Sequence, residues 1–172
     1  MKSILIYSTT DGHTKKICDF IKSNSIKNNF DIFSIDKINE LNLNNYDLIV
    51  LGASIRYGKH NNIIYKFISS NKEILKSKKN AFFSVNVVAR KPEKNSPKNN
   101  PYILKFLRKS EWHPTKIGVF AGKVDYPNYN FFNKLIIRFI MFVTKGPTDT
   151  SRSYEFTNWD NIKKFTNELE NL

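Results

Sequence analysis

Short apolar segments alternate with amphipathic, helix-like segments along this chain, and no other feature constrains its fold as strongly. The segment 46–53 is almost continuously apolar, which is typical of a buried strand in a sheet covered on both faces. Strands that alternate with helices in a chain of 172 residues predict a doubly wound α/β fold around a parallel sheet. The predicted strands are 2–8, 30–35, 46–53, 81–87 and 117–122, and the predicted helices include 61–78, 101–110 and 159–172.

A hydroxyl-rich turn follows the first predicted strand directly. Its sequence is Thr9-Thr10-Asp11-Gly12-His13-Thr14, and it leads into a helix, so that backbone N–H groups and hydroxyls meet at the positive end of a helix dipole. The turn has neither a G-x-G-x-x-G pattern nor a lysine after its glycine, which argues against a dinucleotide fingerprint and an NTP-binding P-loop. It predicts a site for a mononucleotide phosphate, as in FMN, held without a metal ion. The alternative is an ordinary turn in which Thr10 or Asp11 caps the helix.

Two further loops are expected beside this turn, because loops that leave the carboxyl ends of neighbouring parallel strands meet at the switch point of the sheet. One is Ser-Ile-Arg-Tyr-Gly at 54–58, and the other is the basic segment 88–94. A flat ring would lie between them, with Tyr57 packed on the ring and Ser84 or Asn86 bonded to its edge. The alternative for Tyr57 is an aromatic residue that covers the end of the sheet.

The chain is strongly basic, with a formal net charge of +13 and a pI near 9.7. The lysines are scattered, and no zinc-finger, recognition-helix or RNA-binding signature accompanies them, so nucleic acid is not the expected partner. We expect an anionic lipid surface or an acidic small molecule instead. The single cysteine, Cys18, excludes an internal disulfide and is expected to be a small buried residue, consistent with a reducing cytoplasm. Length and composition predict one domain over 1–172, with neither a signal peptide nor a membrane-spanning segment.

The segment 123–147 exceeds what a minimal five-stranded sheet needs and is interpreted as an insertion. It contains a predicted helix, 130–145, that ends at Gly146-Pro147 and is almost entirely apolar except for a stripe of Lys134, Arg138 and Lys145. At 1.5 Å per residue such a helix reaches only about 22 Å, which is too short to cross a bilayer. It therefore predicts a helix that lies in a membrane interface or covers an apolar ligand. A dimer interface or a buried core helix is the alternative.

Several of these segments together resemble the bacterial FMN- and quinone-dependent protoporphyrinogen oxidases, a flavodoxin-like family. The residues that carry the resemblance are 8–12, 52–58, 84–94 and 148–150, and the similarity extends along essentially the whole chain. It implies a flavodoxin-like five-stranded parallel sheet in the order 2-1-3-4-5, and FMN as the cofactor. The candidate cofactor-binding residues are Thr9, Thr10, Asp11, Gly12, His13, Thr14, Ser54, Ile55, Tyr57, Ser84, Val85, Asn86 and Val87.

The resemblance further implies six-electron oxidation of protoporphyrinogen IX, with electrons passed to menaquinone or ubiquinone at the cytoplasmic face of the inner membrane. It supplies no catalytic acid or base, and His60, Tyr57 and Tyr126 are candidates for proton transfer that also fit structural roles. As a hypothesis, Arg56, Arg90 and Lys91 pair with the two propionates of the substrate. The alternatives are an electron-carrier flavodoxin, a quinone reductase that uses a nicotinamide cofactor, and a binding module without FMN.

Overall fold

A parallel sheet forms the centre of the molecule. The computed structural model describes the backbone of residues 1–172 and the side chains of all of them except 39 and 40. The sheet contains five parallel strands, which lie in the order β2 (Asn29–Ser34), β1 (Lys2–Ser8), β3 (Leu48–Arg56), β5 (Lys79–Val85) and β6 (Lys116–Phe120). The two-residue strand β4 (Lys59–His60) pairs antiparallel with the end of β3. The predicted flavodoxin-like α/β architecture and its order of parallel strands are thus confirmed.

Helices cover both faces of the sheet, which explains why its central strands are apolar on both sides. On one face, α1 (His13–Asn24) and α6 (Trp159–Leu169) pack on a core that includes Leu5, Phe83 and Phe165. On the other face, α2 (Asn62–Ser70), α3 (Lys72–Ser77) and α4 (Pro101–Ser110) cover a second core. The loops at the carboxyl ends of the strands therefore leave one edge of a sheet that is packed against helices on both faces.

The predicted helix 61–78 is wrong as a single element, because the structure divides it at Asn71. The side chain of Asn71 donates to the main-chain oxygen of Phe67 at 2.8 Å, and its backbone ends α2 before α3 begins. A short polar side chain that bonds to a helix carbonyl competes with continued helix formation. The closing helix likewise ends at Leu169, three residues before its predicted end at 172.

The strand boundaries differ from the predictions by up to three residues. Two of these differences lie at the edge of the sheet formed by the carboxyl ends of its strands. The third strand extends to Arg56 because a hairpin forms there: Ile55 pairs with His60, and the turn residues Tyr57 and Gly58 have positive φ angles of 49° and 74°. The fourth strand ends at Val85 rather than residue 87, since Asn86 caps a 3₁₀ turn over Val87–Arg90.

The inserted segment begins in a small antiparallel ribbon that the sequence analysis did not predict, and the second strand of this ribbon lies beyond the predicted end of the insertion at 147. Strand β7 (Lys123–Asp125) pairs with β8 (Ser153–Glu155), and helix α5 (Phe131–Val143) lies between them. The helix begins at its cap Asn130 and ends where Gly146 donates to the main-chain oxygen of Met141 at 2.7 Å, close to its predicted bounds. Within the described residues, no helix is both long enough and apolar enough to cross a membrane.

Candidate functional site

Most of the predicted cofactor-binding residues line one narrow cavity at the carboxyl edge of the sheet. The cavity has a volume of about 50 Å³. It is bounded by the turn after β1, the end of β3, the end of β5 and the segment after β6. We call it the cofactor cavity, and its lining residues are Thr9, Thr10, Asp11, His13, Thr14, Ser54, Ile55, Val85, Asn86, Val87, Gly122 and Lys123.

Three predicted residues do not line this cavity, and two lining residues were missed. Gly12 instead provides the left-handed turn, with φ of 78°, at which α1 begins. Tyr57 lines a neighbouring cavity, and Ser84 lies fully buried behind Asn86. Gly122 and Lys123 follow β6, the last strand of the sheet. They could have been predicted from that position, since the loops after neighbouring strands meet at this edge.

The turn after β1 has unused hydrogen-bonding groups. The hydroxyl oxygens of Thr9 and Thr14 are both buried and have no hydrogen-bond partner among the described residues. The alternative interpretation of the turn, in which Thr10 or Asp11 caps the helix, does not hold: Gly12 occupies the cap position, and no side chain bonds to the first turn of α1. Buried polar groups are normally bonded, and a helix N-terminus without a cap attracts anions. These groups fit the phosphate of a mononucleotide, which would supply the missing acceptors.

His13 is held by a residue that is distant in sequence. Its Nε2 lies 2.6 Å from Oγ1 of Thr157, and that hydroxyl donates its own hydrogen to the main-chain oxygen of Ala121 at 3.0 Å. His13 is therefore the donor in this pair, and Nε2 carries the proton. Burial lowers the pKa of His13, so the ring is neutral at pH 7. The turn after β1, residues 9–14, which we call the phosphate turn after its predicted role, is thus joined to the segment that precedes α6.

A chain of buried amides and hydroxyls connects α4 to the cofactor cavity. Oδ1 of Asn100 accepts from two backbone N–H groups at the start of α4, so its Nδ2 donates to Oδ1 of Asn86 at 3.2 Å. That oxygen also accepts a backbone N–H, which leaves Nδ2 of Asn86 to donate to Ser84 Oγ at 3.2 Å. Oγ of Ser84 lies 2.9 Å from Nε2 of His60, and because the Ser84 hydroxyl has no other acceptor among the described residues, we assign it as the donor to that nitrogen. The backbone N–H groups at the start of α4 thus determine how each side chain of this hydrogen-bonded series is oriented.

The inserted segment contacts the two loops that flank the cofactor cavity. Arg56 donates to Asp11 Oδ2 at 3.0 Å, and its guanidinium lies 5.2 Å and 4.9 Å from the ring centres of Tyr57 and Tyr129. Tyr129 donates to the same carboxylate oxygen at 3.2 Å, and Tyr57 donates to Asn133 in the first turn of α5. The loop after β3, the phosphate turn and the insertion therefore form one connected cluster.

The three cations proposed for the substrate are not brought together. Arg56 lines a cavity beside the cofactor cavity. Arg90 is half-buried and donates to the main-chain oxygen of Val87 at 2.9 Å and to the main-chain oxygen of Thr144 at 2.8 Å. Lys91 is half-exposed and makes no side-chain hydrogen bond or ion pair with the described residues. Neither Arg90 nor Lys91 lines the two cavities next to the phosphate turn.

Helix α5 presents an unusually apolar surface to solvent. Only Met141 of this helix is fully buried, against Val124 and Tyr126. The aromatic side chains on the outside are between 68% and 75% exposed. We call this surface the apolar face of α5, and it comprises Phe131, Phe132, Leu135, Ile136, Phe139, Phe142 and Val143. A patch of this kind marks an interaction surface rather than a core helix.

Comparisons with known proteins identify full-length relatives. A family model described as Flavodoxin domain matches residues 4–151. The protoporphyrinogen IX dehydrogenase (quinone) of Escherichia coli (strain K12) is 37% identical over 174 residues, which covers 100% of this chain and 96% of that protein. The protein of the same name from Leishmania major is 41% identical over 174 residues, which covers 99% of this chain and 75% of that protein.

Solved structures show the same fold at lower sequence identity. Oxidised flavodoxin 1 from Bacillus cereus is 18% identical with a TM-score of 0.57, and the match covers 98% of this chain and 97% of the other. A flavoprotein from Lactobacillus acidophilus, solved in complex with FMN, is also 18% identical with a TM-score of 0.50, covering 69% of this chain and 92% of the other.

Proposed function

This chain belongs to the flavodoxin domain family and, within it, to the family of the quinone-dependent protoporphyrinogen IX dehydrogenases, and we propose that it oxidises protoporphyrinogen IX to protoporphyrin IX with a quinone as acceptor. The activity is inferred from relatives that match over the whole of this chain. The observation on this chain that best supports it is the pair of buried, unpartnered hydroxyls of Thr9 and Thr14 beside an uncapped helix N-terminus.

FMN is the proposed cofactor. Thr9, Thr14 and the backbone N–H groups at the start of α1 would hold its phosphate, with no metal ion required. Ile55, Val85 and Val87 line the cavity with apolar groups, and the oriented amide of Asn86 adds a polar contact; because the cavity measures only about 50 Å³, the flat ring would extend out of it past these residues. When bound, FMN supplies two-electron oxidation, so that removal of six electrons from the macrocycle takes three rounds.

The residues of this chain bind and enclose the reactants rather than supply an acid or base. The described residues around the cofactor cavity are neutral or paired: His13 is neutral, and Asp11 is joined to Arg56 and Tyr129. The insertion contacts the loop after β3 through Tyr57 and Asn133, where it would cover one side of a bound reactant. Exclusion of water protects the reduced state from side reactions.

We propose that the apolar face of α5 lies against the cytoplasmic surface of the inner membrane, where quinone is dissolved. The side chains of Lys134, Arg138 and Lys145 accompany this face, and the chain has a net charge of +13, so that both features favour an anionic lipid surface. This arrangement would hold the protein peripherally and bring the cofactor cavity close to the region in which the acceptor partitions.

Anaerobic titration of the FMN-loaded protein with protoporphyrinogen IX tests the proposed activity. We expect the flavin absorbance to bleach, and we expect quinone to restore it as porphyrin fluorescence appears. A flavin that does not respond to protoporphyrinogen would contradict the proposal. Rapid bleaching by NADH or NADPH would instead indicate a nicotinamide-linked quinone reductase, and a protein that binds no FMN would indicate a binding module.

A further inference from the structure

A second cavity adjoins the cofactor cavity on the other side of the loop after β3. Its volume is about 320 Å³, and it shares Thr10 and Ser54 with the cofactor cavity, so the two spaces meet. Its remaining wall consists largely of Arg56, Lys59, His60 and the first residue of α2, Asn62. Any molecule that occupied this space would lie next to the occupant of the cofactor cavity.

The charge around this second cavity favours an anion. Among the residues that line it, none is acidic. Arg56 is paired with Asp11, which cancels most of its charge, whereas Lys59 is exposed and has no acidic partner among the described side chains. The cavity also lies beside the N-terminus of α2, a nine-residue helix with no acidic residue in its first turn, where the side chain of Asn61 caps the helix by accepting from the backbone N–H of Ile63. The net charge of the groups around this cavity is therefore positive.

His60 adds a buried donor to the same cavity. The ring is only 2% exposed, and its Nε2 accepts from the Ser84 hydroxyl, so that the proton of the neutral ring is on Nδ1. None of the described residues bonds to Nδ1, although His60 lines the cavity. Nδ1 is not among the buried, unpartnered side-chain atoms of the described residues, so solvent in the cavity reaches it, and an occupant with an acceptor oxygen would take the place of that solvent.

We propose that this second cavity binds a carboxylate of the porphyrinogen substrate, with Lys59 and Nδ1 of His60 as its recognition groups. The inference rests on the proposed function, because the substrate of that reaction carries two propionates. It moves the anionic contact away from Arg90 and Lys91, which line neither cavity, to residues that adjoin the cofactor cavity.

Equilibrium binding of the oxidised product tests this role without turnover. Protoporphyrin IX and its dimethyl ester, which lacks the two negative charges, are titrated into the FMN-loaded protein, and porphyrin fluorescence is followed. We expect Lys59→Met to weaken binding of the diacid about tenfold and to leave the diester within about twofold. We expect His60→Gln, which retains an acceptor for Ser84, to act in the same direction.

Lys66→Met is the matched control, since Lys66 is an exposed lysine of α2 that does not line this cavity. Equal effects of Lys59→Met and Lys66→Met would overturn the proposal, because they would indicate only the general positive field. Loss of FMN from Lys59→Met would also overturn it, because the cavity would then serve the cofactor phosphate. Flavin bleaching by protoporphyrinogen is measured separately on the unmodified protein: its absence contradicts the proposed function, whereas its presence with no effect of Lys59→Met contradicts this inference alone.

Discussion

Arg90 donates hydrogen bonds to both the main-chain oxygen and the hydroxyl oxygen of Thr144, at 2.8 Å and 3.0 Å. A further bond to the main-chain oxygen of Val87, at 2.9 Å, holds the same guanidinium against the 3₁₀ turn after β5. Arg90 therefore joins the end of α5 to the edge of the sheet. These contacts use guanidinium N–H groups that the sequence analysis assigned to a substrate propionate.

Replacement of Arg90 by alanine is expected to destabilise the protein by about 1–3 kcal/mol, because two main-chain oxygens lose a charged donor. Urea denaturation of the apoprotein measures the change. Lys91→Ala is the control and is expected to alter stability by less than about 0.5 kcal/mol. A raised KM for protoporphyrinogen with unchanged stability would contradict the structural role and support the original hypothesis for Arg90.

Thr14→Val is expected to weaken FMN binding at least tenfold and to leave the apoprotein as stable as before or slightly more stable. The physical reason is that the hydroxyl of Thr14 has no partner until an anion binds, so its removal costs the apoprotein nothing. Flavin fluorescence quenching and thermal unfolding report the two quantities.

Thr166→Val provides the matched control for this replacement. Thr166 is also fully buried, but its hydroxyl donates to the main-chain oxygen of Ile162 at 2.9 Å. Its replacement is expected to leave FMN affinity unchanged. If both valine variants bound FMN as tightly as the unmodified protein, the phosphate assignment of this turn would be wrong.

The stability of the apoprotein is expected to fall as pH decreases below about 6.5. Burial, followed by the charge of Lys105, lowers the pKa of His60 to about 3, so the unfolded chain binds this proton before the folded chain does. Stability is retained above the unfolded pKa and decreases between pH 6.5 and about pH 3. The expected contribution at pH 5 is a loss of about 2 kcal/mol relative to pH 7.5.

The variant His60→Gln isolates this effect, because glutamine keeps an acceptor for Ser84 and does not titrate. Its stability is expected to change less between pH 7.5 and pH 5 than that of the unmodified protein, as measured by urea denaturation at each pH. Parallel pH profiles for the two proteins would show that His60 does not titrate as a buried neutral ring.

Phe139→Glu is expected to reduce binding to vesicles that contain anionic phosphatidylglycerol by at least tenfold, since it removes an apolar contact and adds a charge like that of the lipid. Co-sedimentation at two salt concentrations measures the binding. Ile26→Glu is the control, because Ile26 is 91% exposed and lies far from α5 in sequence, after α1. Equal binding of both variants would exclude the apolar face of α5 as the membrane contact.

The part of the candidate site that consists of consecutive residues could be predicted from the sequence. The turn 9–14 combines hydroxyls, glycine and a helix start within six consecutive residues, and so the prediction of a phosphate site there depends only on neighbouring residues. The hairpin at Ile55 and His60 and the ribbon between β7 and β8 were missed. The three strands that were not predicted, β4, β7 and β8, have two or three residues each, which is too short for a period-two pattern to stand out.

The sequence by itself determined the alternation of strands and helices, the hydroxyl-rich turn after the first strand and the presence of an apolar inserted helix, because each depends on hydrophobic periodicity or on residues close together in the chain. The order of the strands was expected from the family resemblance. Only the tertiary structure decided the roles of individual polar side chains. His60 faces a cavity with Lys59, and Arg90 bonds to Thr144 across 54 positions, because contacts between loops depend on how the strands arrange their ends. Which residues a side chain contacts depends on the folded structure, whereas its preference for a helix or a strand depends on the residue itself.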